Sequence, residues 1–170
     1  LVFDMSAAGA ATFNSTVTGT SFNGIPFYQG DTGSIYTHDV SGTDSTAVSN
    51  TAFGITAMDA ITTGDDNTAV GHNAMTTQTT GARNTAVGHD ALYSNTTSDD
   101  NTALGMAAMY TNTTGNNNTA VGMYALHLNT TAADNIAVGY KAMYANTTGA
   151  QNTAMGLSLI HISEPTRRKR

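Results

Sequence analysis

From residue 50 onward, apolar and polar positions recur every 17 residues. The motif Asn50-Thr-Ala-Phe-Gly54 returns at 67–71, 84–88, 101–105, 118–122, 135–139 and 152–156 without an insertion. With Asn as position one, position four is always apolar: Phe53, Val70, Val87, Leu104, Val121, Val138 and Met155. Position eight is Ala in every complete copy, position nine is Met or Leu, and a Thr-Thr pair follows at positions thirteen and fourteen. Self-similarity at one fixed period marks a repeat architecture in which each unit buries its apolar face against its neighbours.

The pattern predicts the elements of each unit. Asn-Thr-Ala-apolar reads as a short strand. In Gly88-His-Asp-Ala-Leu-Tyr-Ser94, Ala91 and Leu92 lie four and five residues beyond Val87, the spacing of one helical turn. Thr-Thr then leads into a Gly/Asn/Asp corner, where residues tolerant of positive φ belong. Seventeen extended residues span at most ~56–61 Å, enough for one small closed coil. The expected fold is therefore mainly β: a parallel β-solenoid or β-roll of 17-residue coils over 50–156, with one helical turn per coil. Its expected core is Val70, Ala74, Met75, Val87, Ala91, Leu92, Leu104, Ala108, Met109, Val121, Ala125, Leu126, Val138, Ala142 and Met143. Its expected polar ladder is Asn67, Asn84, Asn101, Asn118 and Asn135.

A lone coil is unstable on this reading. Two large apolar side chains contribute roughly 3–6 kcal/mol on burial, whereas ordering seventeen residues costs on the order of 17–34 kcal/mol of backbone entropy. Hydrogen bonds and burial between coils must close that gap. A core of Ala, Val and Met is thin, which predicts further burial against other chains. Position six (Ile55, His72, His89, Met106, Met123, Tyr140) and the Tyr residues at position ten (Tyr93, Tyr110, Tyr144) are the candidates for that contact.

Residues 1–49 differ and read as a β-rich lead-in or cap. Thr12-Phe-Asn-Ser-Thr-Val-Thr18 alternates like a half-buried strand, and Gly24-Ile-Pro-Phe27 and Gly30-Asp-Thr-Gly33 read as turns. Residues 157–167 match, residue for residue, the translation of a transposase-type sequencing adaptor. Residues 157–170 are therefore expected not to be native, and their Arg/Lys run carries no functional weight.

Composition sharpens the picture. Only 11% of residues are charged, against roughly 25% in ordinary globular domains. Within the repeats, charges fall only at positions seven, ten, sixteen and seventeen. Stacking equivalent positions at ~4.8 Å makes like charges repel while Asn and Thr hydrogen-bond along the ladder. The low charge is thus what a solenoid requires. Residues 1–156 carry two basic residues, Arg83 and Lys141, against eleven Asp, a net charge of −9. Clustered Lys and Arg, the footprint of nucleic-acid binding, are missing there. Zero Cys excludes a disulfide framework and a thiolate metal site, and no 18-residue apolar run is present for a membrane-spanning helix.

The repeats, such as Asn118-Thr-Ala-Val-Gly-Met-Tyr-Ala-Leu-His-Leu-Asn-Thr-Thr131, and the segment Met5-Ser-Ala-Ala-Gly-Ala-Ala-Thr-Phe-Asn-Ser-Thr-Val-Thr18, resemble tail-fibre-like proteins of marine bacterial viruses and their metagenomic relatives. A looser similarity runs to the head repeats of trimeric autotransporter adhesins, with their Asn-Ser-x-Ala-apolar-Gly core. The resemblance covers 1–156. It implies a parallel homotrimer, an elongated shaft and attachment to a host surface glycan or protein, in a virion tail fibre or on a bacterial surface. Such fibres often end in a self-cleaving chaperone domain, which nothing in this sequence matches.

Candidate chemistry is sparse. His72 and His89 share position six of adjacent repeats and would stack, so a trimer would bring three of each together for a metal; the competing reading is polar substitution at a tolerant position. His38 and His127 have no partner spacing. The Asp65-Asp66 and Asp99-Asp100 pairs suit Ca²⁺, although other corners lack them and a solvated corner explains them better. Asn95, Asn112, Asn129 and Asn146 begin Asn-Thr-Thr triplets of the N-glycosylation pattern, which the period itself explains. A Thr ladder offers a hydroxyl array for ice or carbohydrate binding, the alternative function, with Thr96, Thr113 and Thr130 as its working face. A polysaccharide hydrolase would need a carboxylate pair, but the Asp residues sit at corners without insertions. The expectation is a structural, non-enzymatic shaft with no cofactor or metal.

Overall fold

The computed structural model describes residues 46–157 and, before them, four two-residue strands: β1 (Ser21–Phe22), β2 (Ile25–Pro26), β3 (Tyr28–Gln29) and β4 (Ile35–Tyr36). The Thr12–Thr18 strand, the Gly30–Gly33 turn and residues 158–170 lie outside the described residues. Ile25 and Pro26, expected in a turn, pair antiparallel with β1 as β2.

Each repeat contributes one three-residue strand: β5 (Thr51–Phe53), β6 (Thr68–Val70), β7 (Thr85–Val87), β8 (Thr102–Leu104), β9 (Thr119–Val121), β10 (Ile136–Val138) and β11 (Thr153–Met155). These seven strands pair in parallel in chain order, and every residue faces its equivalent one repeat away, as Ala86 faces Ala103. The chain is a parallel β-solenoid. The lead-in continues its sheet, because β4 pairs parallel with β5 and β3 pairs antiparallel with β4. That pairing covers an edge strand that would otherwise offer unpaired backbone groups.

No helix occurs among the described residues, which corrects the expected helical turn. Positions seven and nine instead adopt left-handed φ in every coil, for example Asp90 (58°) and Leu92 (51°), or Ala107 (53°) and Met109 (50°). Alternating the sign of φ turns the chain sharply and sends its N–H groups to neighbouring coils. Asp90 N–H donates to His72 O in the coil before, and Leu92 N–H to Ala108 O in the coil after, both at 3.0 Å. Left-handed φ costs ~1–3 kcal/mol for a residue other than Gly and is most adverse for β-branched side chains. Position nine is accordingly Met or Leu and never Val or Ile. The corner at position seventeen has the positive φ expected of it, from Asp66 (58°) to Gln151 (60°).

Strand alternation decides the core. Successive side chains point to opposite faces, and the residue that points inward is Ala at position three. Ala52, Ala69, Ala86, Ala103, Ala120 and Ala137 are buried with the Ala of position eight and the Met or Leu of position nine. Val70, Val87, Leu104, Val121 and Val138, expected in the core, lie instead on the outer face of the chain, where Leu104 is 47% exposed. The expected core therefore holds for Ala74, Met75, Ala91, Leu92, Ala108, Met109, Ala125, Leu126, Ala142 and Met143, and is corrected for the position-four row. Inside the strand row the buried side chain is always Ala, and the large buried side chains come from positions nine and twelve, as Met58 and Ile61 do in the first coil.

Two columns of buried amides flank this thin core. In the first, the Oδ1 of each Asn accepts the backbone N–H of the next: Asn67 from Asn84 (2.9 Å), Asn84 from Asn101 (3.0 Å), Asn101 from Asn118 (2.9 Å) and Asn118 from Asn135 (3.0 Å). The same oxygens accept the next Asn Nδ2 at 3.1–3.2 Å. Position twelve forms the second column: Asn112 Nδ2 donates to Asn95 Oδ1 (3.2 Å), Asn129 to Asn112 (2.9 Å) and Asn146 to Asn129 (3.0 Å). Gln78 accepts from Asn95 at the column's start.

Glycine at position five is required by space. Gly105 has φ +132°, and a Cβ there would meet the carbonyl carbon of Gly122 at 2.7 Å. Two outcomes follow from this packing. Asn101→Ala leaves the buried Asn118 N–H without its acceptor and is expected to lower unfolding stability by about 1–3 kcal/mol, whereas Thr97→Ala on the exposed surface stays within about 0.5 kcal/mol; urea unfolding compares them. Gly105→Ala, with both a clash and an adverse φ, is expected to shift the urea midpoint at least as far as Asn101→Ala.

Candidate functional site

With its interior filled and its ladders paired, the coil can meet other molecules only through its outer rows. The first is an apolar stripe. Phe53, Val70, Leu104 and Met155 at position four and Ile55, Met106, Met123 and Tyr140 at position six are all exposed. Position four points outward because position three points inward, and the glycine between four and six lets the chain bend without leaving the surface. His72 and His89 continue the position-six row and are also exposed.

The second row is aromatic. The rings of Tyr93 and Tyr110 stack at 5.0 Å, Tyr110 and His127 at 5.2 Å, and His127 and Tyr144 at 5.1 Å. His127, expected to lack a partner, is thus the third member of this ladder. The 17-residue spacing from Tyr110 and to Tyr144 already contained that signal. Its Nδ1 also lies 3.0 Å from Ala107 O. Tyr124 meets His127 edge-on at 5.2 Å, and the Lys141 ammonium sits 5.2 Å from the Tyr140 ring, 5.5 Å from Tyr144 and 5.9 Å from Tyr124. Because the ring faces cover one another, the interior of the ladder offers edges rather than platforms to a sugar. Its work is to hold successive coils in register.

The third feature is the corner. Asp65 accepts the Val48 N–H at 2.9 Å, and Asp99 accepts the Ala82 N–H at 2.7 Å. These carboxylates each satisfy an amide of the preceding coil, a use that the Ca²⁺ reading did not foresee. Arg83 donates from Nε to Asp100 Oδ1 at 2.7 Å and from Nη2 to Oδ2 at 3.1 Å, with Asp99 at 3.6 Å. Its stacking between Asp66 and Asp100 interrupts a column of like charge. The hydrogen bond from Arg83 and its positive charge hold the Asp100 carboxyl below the usual carboxylate range, against a smaller opposing effect of desolvation.

The Thr pair is split. At position thirteen, Oγ1 donates to the backbone carbonyl of the next coil: Thr79 to Thr96 O (3.0 Å), Thr96 to Thr113 O (3.2 Å) and Thr113 to Thr130 O (3.1 Å). Thr96, Thr113 and Thr130 are therefore engaged within the solenoid. The exposed rank is position fourteen: Thr63, Thr80, Thr97, Thr114, Thr131 and Thr148. Asn95, Asn112 and Asn129 are buried, so these three Asn-Thr-Thr triplets present no amide to the surface.

No family model matches the chain, and no curated protein or solved structure matches it either. The architecture seen here is that of a parallel β-solenoid, and the reading of its role rests on its own surface.

The corner gives a prediction with a defined sign. Asp100 has a lowered pKa in the folded state, so its pairing contributes stability at neutral pH that is lost as pH falls through that lowered value. Arg83→Gln is expected to raise the titration midpoint of Asp100, followed by NMR of its carboxyl carbon.

Proposed function

We propose that the chain is a shaft segment of a fibre that assembles from parallel copies of itself and positions a host-attachment end, as in a viral tail fibre or a bacterial adhesin. The observation that carries this reading is the apolar stripe of positions four and six. It runs in register along coils whose backbone groups are otherwise paired. Burying a Val, Leu, Ile, Phe or Met side chain contributes ~1.5–3 kcal/mol, so a row of them on an outer face is an assembly surface. A second copy aligned in parallel presents the same side chains at the same rise, which makes the stripe complementary to itself at each coil. The resemblance to trimeric fibres supports three chains around an axis. A homotrimer also multiplies any weak contact with a surface glycan or protein.

The repeats carry no insertion that breaks the period, and the corner carboxylates of Asp65 and Asp99 are engaged by backbone amides. Both features favour a structural role over polysaccharide hydrolysis. The exposed Thr rank at position fourteen supports a second reading, a solenoid that binds ice or carbohydrate directly through that face.

Light scattering on the whole chain is expected to give three times the 17.5 kDa of one chain. Leu104→Lys with Met106→Lys, both on the outer face, is expected to yield a folded monomer. A monomeric wild-type chain overturns the shaft reading. The second reading instead expects Thr80→Tyr, Thr97→Tyr and Thr114→Tyr together to abolish thermal hysteresis or glycan binding, leaving the mass unchanged.

A further inference from the structure

The position-six row changes character over two coils. Between Ile55 and Met106 it carries His72 and His89, whose rings stack with centroids 5.1 Å apart and planes inclined by 19°. The next residue, Asp90, brings an Oδ2 to 2.9 Å from His89 Nδ1. The other oxygen of that carboxylate accepts a hydrogen bond from Asn73 Nδ2 at 3.0 Å, so Asp90 is held in place from the coil before. One donor atom from each of His72, His89 and Asp90 lies within 4.8 Å of the other two. Among the described residues no other set of three His or acidic side chains converges in this way.

We propose that His72, His89 and Asp90 bind one divalent first-row transition-metal ion on the outer face of a single chain. Two donors that each reach a metal at ~2.0–2.2 Å lie no more than ~4.4 Å apart. No separation exceeds 4.8 Å, and that between His89 Nδ1 and Asp90 Oδ2 is 2.9 Å, so what closure is needed is within reach of rotation about the side-chain torsions of two exposed imidazoles. The solenoid supplies the rest of the arrangement. Register places the imidazoles one coil apart. The left-handed φ of Asp90 (58°) belongs to the turn that carries its carboxylate beside His89. Asn73 orients that carboxylate, as outer partners do in metal sites. Two nitrogens and one oxygen suit copper, nickel or zinc rather than calcium or magnesium, and copper(II) should bind most tightly. All three residues belong to one chain, so a single chain supplies the three donors, although His72 and His89 lie on the row proposed to meet other copies.

The test uses the full chain and copper(II) or zinc(II) salts alone, in a non-coordinating buffer. Titration calorimetry is expected to give one ion per chain, and the copper(II) electron paramagnetic resonance spectrum should show coupling to two imidazole nitrogens. His72→Ala and His89→Ala are each expected to weaken binding at least tenfold, and Asp90→Asn to weaken it less. All three variants leave His38, His127 and His161 in place, so metal held elsewhere is recognised by its persistence. His72→Gln repeats the test should the alanine variant fail to fold, with circular dichroism as the check. The inference is overturned if the wild type shows no binding, if it binds as tightly after both histidines are replaced, or if one ion is shared among several chains.

Discussion

The structure depends on one repeated hydrogen bond: the side-chain oxygen of a buried Asn accepts the backbone N–H of the Asn one coil later. A coil of seventeen residues has a single three-residue strand, and the rest of its backbone pairs with neighbouring coils through turns. Its interior holds two Ala and one Met or Leu, joined by Ile61 in the first coil, too little apolar volume to offset the ordering of the chain. Polar groups brought into so narrow a space must be paired, because an unsatisfied buried donor costs more than a made bond contributes. The amide columns at positions one and twelve meet that demand, and each amide is bound on both sides by an identical neighbour. The fold is stable only as a stack, and the stack can only be in register.

Other features follow from that constraint. Identical neighbours at the rise of one coil exclude long runs of like charge, and Arg83 lies between Asp66 and Asp100 where the corner would otherwise repeat acid upon acid. Aromatic residues tolerate self-stacking, which is why Tyr93, Tyr110, His127 and Tyr144 share a column. Left-handed φ at position nine selects side chains unbranched at Cβ, and the close approach of Gly88, Gly105 and Gly122 leaves no room for a side chain. Only outward rows escape these rules, and they are where sequence varies: Ile, His, Met and Tyr at position six, Asp, Thr, Tyr and His at position ten. Function has to be sought on those rows, since the inside is fully committed to holding the coil.

Much of this was legible in the chain itself. The period, the parallel pairing of equivalent residues and the Asn ladder all depend on a residue meeting its own counterpart, and counterparts are found by counting. The position-twelve column is legible in the same way, since only Ile, Gln and Asn occupy it, and its Asn-Thr-Thr triplets follow from the period. His127 is legible by the same counting as an occupant of position ten, because its place in the ring column follows from its register and not from its imidazole chemistry.

What counting does not provide is direction. Whether Val87 or Ala86 enters the core, which Thr of each pair meets solvent, and whether positions five to eleven form a helix or an alternating turn depend on the sign of φ at positions seven, nine and seventeen and on closure of the coil. Ala-Leu at a helical spacing is compatible with either geometry, and the narrow interior selects the one that places Ala inside and Val outside. Which residues stand above one another is set along the chain, because a fixed period imposes translation along one axis. Which way each column faces is set in three dimensions, by how the backbone turns within a coil, and one-dimensional spacing does not encode that.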